Sequence, residues 1–141
     1  MAACPTRDIV AAIAALLEAD ATFTSLATGG LWNDAPDDVA YPHVIVEYVS
    51  DRPAHRLGGA TTGLGWYVTV RVHTYSFYQG QIQALAISER VGELLSFASL
   101  SVSGFQGTVI EPQPGRSLKE VNKQKLEVRH IVNEFQVCVQ Q

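Results

Sequence analysis

Residues 66–76 read Trp66-Tyr67-Val68-Thr69-Val70-Arg71-Val72-His73-Thr74-Tyr75-Ser76. Trp66, Val68, Val70 and Val72 alternate with Tyr67, Thr69, Arg71 and His73. Side chains of a strand point to opposite faces with period two, so this is a β-strand with one apolar, buried face. The second face carries Tyr67, Arg71, His73 and Tyr75, a mixture of aromatic and basic groups suited to a partner subunit. The strand ends at Thr74-Tyr75-Ser76.

The period changes immediately downstream. Ala84, Ile87, Val91, Leu94 and Ala98 recur at helical spacing, and Leu95 widens the stripe. A helix is expected from about Tyr78 to Phe97, with Ser76 as its cap and Gly92 as a weak point inside it. Upstream, residues 50–64 combine proline, glycine and charge without periodicity and read as a long connection. Before it, Tyr41-Pro42 opens a second strand through Val44, Val46 and Tyr48, since proline is tolerated at a strand's first position. Asn33 to Asp38 is a turn-rich acidic loop. Leu31-Trp32 is a short apolar anchor, and Gly29-Gly30 ends a short turn holding Phe23 and Leu26. The N-terminal helix follows from Ile9, Val10, Ile13, Leu16 and Leu17 on one face, with Asp8 near its positive end.

The last third is rich in strands. Leu100 and Val102 suggest a short one, and Gly104 and Gly107 mark turns. Val109-Ile110 suggests another, broken by Pro112-Gln113-Pro114-Gly115. Lys119 to Lys125 reads as a basic connection, and Leu126 to Val139 as the closing strand, with Ile131, Asn133, Phe135, Val137 and Val139 on one side. The expectation is one α+β domain spanning 1–141, an antiparallel sheet packed by two main helices.

Composition fits this size class. The chain has 141 residues, 47% hydrophobic and 17% charged, with a formal net charge of −4. It is long enough for one core. Its charged fraction is below the usual ~25%. Ten Lys and Arg against fourteen Asp and Glu disfavour a nucleic-acid reader, which concentrates positive charge. A mildly acidic surface would still let DNA pass without sticking. The longest apolar run, Ile9 to Leu17, is too short to span a bilayer, and the residues around it make a poor leader peptide. Cys4 and Cys138 lack metal-ligand spacing and read as independent reduced thiols.

Chemistry-bearing patterns fail on inspection. Gly58 to Gly63 has the outer spacing of a phosphate loop, but Leu64 and Gly65 stand where Lys and Ser or Thr are needed. His43 and Glu47 are four apart, which in a strand is about 13 Å, too far to share a metal. His73 and His130 can meet if their strands pair, yet two ligands leave a zinc site incomplete. No serine sits in a nucleophile elbow. Asp34, Asp37 and Asp38 lack EF-hand spacing. No catalytic residue, cofactor or metal is expected.

Four stretches together carry a resemblance: Ile9–Leu17 followed by Phe23-Thr24-Ser25-Leu26; the Pro-initiated strand Tyr41-Pro42-His43-Val44-Ile45-Val46; Val68 to Ser76 running into the helix of Ala84, Ile87, Val91 and Leu94; and the closing strand Val128 to Val137. In this order they resemble the tail-completion, or tail-terminator, proteins of long-tailed phages. The resemblance implies a structural virion protein without enzymatic activity. It implies a hexameric ring that caps the tail tube, ends its polymerisation and docks onto the head-closure or connector protein, with DNA passing through. Contacts with tube or neighbour are expected at Arg52, His55, Arg56 and Leu57 in the long connection. Lys119, Lys123 and Lys125 in the late basic segment come second. The alternatives are another neck protein, such as a head-closure subunit, or a nucleic-acid-binding module.

Overall fold

The computed structural model describes residues 3–54, 65–77, 81–105, 107–122 and 125–140. Its chain order is α1 (Thr6–Glu18), α2 (Ala21–Leu26), β1 (Leu31–Trp32), β2 (His43–Pro53), β3 (Trp66–Ser76), α3 (Ile82–Leu95), β4 (Gly107–Pro112), β5 (Arg116–Val121) and β6 (Glu127–Gln140). The six strands form one sheet ordered β1-β2-β3-β6-β4, with β5 also on β6. The fold is therefore α+β, but the sheet is mixed. β1 runs parallel to β2, with Leu31 opposite Val44 and Trp32 opposite Ile45, and every other pairing is antiparallel. This corrects the expected all-antiparallel sheet. A parallel neighbour needs a crossover rather than a hairpin, and the loop from Asn33 to Pro42 supplies it.

β3 is the central ruler. Val72 pairs with Val46 on one side and Asn133 on the other, and Val70 pairs with Phe135. Its even-numbered residues from Val68 onward are buried beneath the helices. The core joins Val44, Val68, Val70, Val72, Phe135 and Val137 to Ile9, Ile13 and Leu17 of α1, Phe23 of α2, and Ile87, Val91 and Leu95 of α3. Three helices thus feed the core where two main ones were expected. α2 has six residues, yet its Phe23 is 1% exposed. Burying such a ring is worth roughly 2–3 kcal/mol, which explains why so short a helix is held.

Several boundaries move. β2 continues to Pro53 through a bulge between Tyr48 and Ser50, so Ser50–Pro53 are strand rather than connection. Leu100 and Val102 form no strand; both are buried and plug the core from a loop. Ser76 does not cap α3. It is the last residue of β3, its hydroxyl donates to Gln83, and Gln81 holds the cap position. Lys119 lies in β5, not in a connection. β4 and β5 share one edge of β6, with Pro112 opposite Phe135 and Arg116 opposite Val132, so the Pro-Gln-Pro-Gly break is a bulge within one interrupted strand.

Candidate functional site

The helix-free face of the sheet gathers the polar groups. Because β3 alternates, Tyr67, Arg71, His73 and Tyr75 all point away from the helices, and registration brings matching residues alongside. His43 of β2 and His130 of β6 are the neighbours of Tyr75. The rings form a layer: His43 stacks on Tyr75 at 5.0 Å and Tyr75 on His130 at 4.2 Å, both at 17° between planes. Tyr41, on the N-terminal side of a cis Tyr41–Pro42 bond, packs on His43 at 4.6 Å and on Phe77 at 3.7 Å. Within this layer His43 and His130 are themselves buried.

The buried rings are electrostatically tuned. Burial pushes the His43 imidazole below its ordinary range. His73 is also lowered, first by burial and then by His130. Tyr75 is pushed up to about 12, first by burial and then by the carboxylates of Glu120 and Glu47. An open hollow of about 300 Å³ lies beside the layer, between Pro36 and Val39 on one side and Val121 on the other.

His73 and His130 do meet, Nδ1 to Nε2 at 2.8 Å. Their strands pair two residues out of line, so the contact is diagonal across the ladder. Each imidazole also faces a carboxylate: His73 Nε2 lies 3.2 Å from Glu47 Oε2, and His130 Nδ1 lies 2.8 Å from Glu120 Oε1. Sequence spacing gave no hint of either carboxylate, since both come from neighbouring strands. Among the described residues no group of three or more His, Cys, Asp or Glu is placed to hold a metal. Further along the face, Arg71 Nε donates to Glu134 Oε1 at 2.9 Å.

The expected contact residues are dispersed. Arg52 sits on β2 with its guanidinium 4.3 Å over the Tyr67 ring, a cation–π contact on the helix-free face. Lys119 Nζ lies 3.1 Å from Glu127 Oε1 on the opposite edge of the sheet. Lys125 occupies the β5–β6 turn with φ 62°, and its N–H donates to the Asn122 carbonyl. His55, Arg56, Leu57 and Lys123 lie outside the described residues, as does the Gly58–Gly63 run. Cys4 and Cys138 are both free thiols.

Both lateral edges of the sheet expose apolar side chains. Val109, Leu118 and Val121 lie along β4 and β5, with Leu126 in the turn; Trp32 and Tyr48 lie along the other edge. Residues of β2 beyond Ile45 have no strand on their outer side among the described residues. No helix among the described residues is long and apolar enough to cross a membrane.

Comparison with known proteins places this arrangement. A search of curated proteins finds no match. A chain of the virion of a native gene transfer agent particle superposes with a TM-score of 0.77 at 19% identity, covering 99% of this chain and 100% of that one. A second solved structure, which bears no functional name, superposes with a TM-score of 0.62 at 10% identity, covering 96% and 92%. Both share the fold. The family model described as "Tail completion protein gp17" matches residues 11–140, from the middle of α1 to the end of β6. The chain therefore belongs to the tail completion protein family, and it is a structural protein of a phage-like virion tail.

Proposed function

We propose that this chain is the ring-forming terminator of its tail. Copies close into a ring, six by the family resemblance. The ring caps the tail tube, stops its polymerisation and presents a surface to the head-closure or connector protein. The observation that carries this reading is the family match over residues 11–140. The virion origin of the gene transfer agent chain, which aligns end to end, supports it.

The geometry is compatible in one specific respect. A ring needs a heterologous interface, two different surfaces on each subunit. This sheet has two unlike lateral edges. One is the interrupted β4–β5 strand with Lys119, and the other is β2 beyond β1, leading to Arg52. Unpaired edges with apolar side chains are aggregation liabilities unless something covers them. The interface would be built from Arg52, His55, Arg56 and Leu57 on one side and Lys119, Lys123 and Lys125 on the other. The rings on the helix-free face stack on one another and on buried histidines, which suits packing better than catalysis. DNA would pass through the ring without sequence-specific contacts, in keeping with a net charge of −4.

Deleting the gene tests the reading. Loss of a terminator leaves overlong tails, whereas loss of a head-closure protein leaves tails of normal length detached from heads. The mass of the purified protein in solution, alone and with tail-tube protein, gives the ring size. A strict monomer in both conditions is incompatible with the proposal.

A further inference from the structure

Phe97 stands where a helix ordinarily ends on glycine. It follows the α3 cap residue Ser96 and takes φ 59°, the left-handed region. That conformation is disfavoured for any residue with a Cβ, and glycine is the common choice at this position. The backbone is held there by β4, because the Phe97 N–H donates to the Ile110 carbonyl at 2.7 Å. The ring itself is 74% exposed. Its own fold therefore gains little from the side chain and bears the backbone cost of having one.

A hollow lies on the opposite edge of the sheet. It measures about 330 Å³ and is walled by Val10, Ala11 and Ala14 of α1 and by Tyr48 of β2, with Arg7 also lining it. α1 packs over β2, whereas α3 packs over β3, β6 and β4, so knob and hollow both lie on the helix side. They also lie at one height. Asp51, Val68, Val137 and Ile110 are successive partners across β2, β3, β6 and β4. At one end of this row Asp51 accepts the Tyr48 hydroxyl hydrogen, and at the other Ile110 holds Phe97.

We propose that Phe97 is a knob that inserts into the Ala11–Tyr48 hollow of the next copy in the ring, an inference that rests on the ring reading above. Copies related by rotation about an axis along the strands stay at one height, so the knob of each meets the hollow of its neighbour. Two unlike surfaces on each subunit are what a closed ring requires. The small side chains of Ala11 and Ala14 leave room for an aromatic ring, and the Arg7 guanidinium can lie against its face. An aromatic side chain filling an apolar pocket is the usual centre of a binding interface.

The test uses two variants of the full chain, one for each surface. Phe97→Gly removes the knob and suits the left-handed backbone. Ala11→Trp, at an exposed position on α1, fills the hollow. Each is compared with the parent by urea titration and by mass in solution, alone and with tail-tube protein. Either change should weaken ring formation by about tenfold or more. The urea midpoint of Phe97→Gly should be no lower than the parent's. Mixed together, the two variants retain one intact knob and one intact hollow, so they should form dimers that cannot close. Rings that persist in either variant overturn the proposal, as does a mixture that stays monomeric. A lowered urea midpoint for Phe97→Gly also overturns it, since the ring would then serve its own subunit. Normal rings that no longer bind tail-tube protein reject a second copy as the occupant. A parent that is monomeric under both conditions defeats the ring reading and this inference together, whereas an assembling parent with unaffected variants defeats this inference alone.

Discussion

Arg90 of α3 grips both carboxylate oxygens of Asp20, Nε to Oδ2 at 2.9 Å and Nη2 to Oδ1 at 2.7 Å. The same Asp20 caps α2, accepting the Phe23 N–H at 2.7 Å. One side chain therefore orients the helix that delivers Phe23 to the core and ties it to the helix beneath which β3 and β6 run. A bidentate guanidinium–carboxylate pair fixes direction as well as distance. It lets six residues hold a helical geometry that so short a segment would not keep alone.

Asp20→Asn should lower the Tm by about 3–6 °C, the loss expected for a weakened cap in a domain of this size. The variant also has a pH signature. The Arg90 guanidinium, and then the Phe23 N–H, hold the Asp20 carboxyl down at about 2, against an ordinary value of 3.8. A depressed carboxyl stabilises the fold above its unfolded pKa, and that stability is lost as the pH falls from about 4 toward 2. Thermal scans across that range should show a component present in the parent and missing from the variant.

The histidines give a second pH dependence at milder acidity. His43 and His73 are both held below the ordinary imidazole range, chiefly by burial. The unfolded chain binds protons near pH 6.5 that the folded chain refuses, so stability rises with pH through this range and is lost as the pH falls below it. Calorimetry at pH 7.5 and 5.5 should show a lower Tm at pH 5.5. His43→Gln should reduce the difference.

Two glycines should respond to alanine with opposite signs. A Cβ on Gly29 would stand 2.0 Å from the Ala40 carbonyl oxygen, backbone that cannot move aside cheaply. Gly29 also donates its N–H to the Pro42 carbonyl at 2.7 Å, at the crossover that makes β1 parallel. Gly29→Ala should cost about 1–3 kcal/mol, as overpacking does. A Cβ on Gly92, inside α3, meets nothing within 4 Å. Gly92→Ala should add up to about 1 kcal/mol through helix propensity. Urea titrations of the two variants decide both.

Interface variants should separate assembly from stability. Lys119 is half exposed and its pair with Glu127 is a surface one, so Lys119→Glu should change stability by less than ~0.5 kcal/mol. Arg52→Glu loses a cation–π contact of about 0.5–1 kcal/mol and little else. If these edges meet in a ring, either variant should lower the assembled mass seen by light scattering while its urea midpoint barely moves. Unchanged assembly in both would remove these residues from the interface.

The thiols should be sluggish. Burial first, and Asp51 second, push the Cys4 thiol up to about 11 from 9.0. At pH 8 its thiolate fraction is then about a hundredfold below that of a free thiol, and thiolate is the reacting species. Labelling of Cys4 with a disulfide reagent in native buffer should be slower than in urea by a comparable factor.

What the sequence settled by itself was period. The alternation of Val68, Val70 and Val72 and the helical stripes of Ile9, Ile13, Leu17 and of Ile87, Val91 identified the main strands and helices, because burial on one face writes itself into local spacing. The order of those elements also carried the family resemblance. Tertiary structure decided the rest. β5 has no buried residue and so no period; it is a strand because β6 offers it a ladder. Ser50 to Pro53 look like loop and become strand because β3 offers them a ladder from Thr69 to Trp66. The line from Glu47 to Glu120 joins residues 73 positions apart, and only the registration of four strands brings them to one row. Pairing between strands is fixed by contacts remote in sequence, and no local pattern specifies which remote residue will be the neighbour.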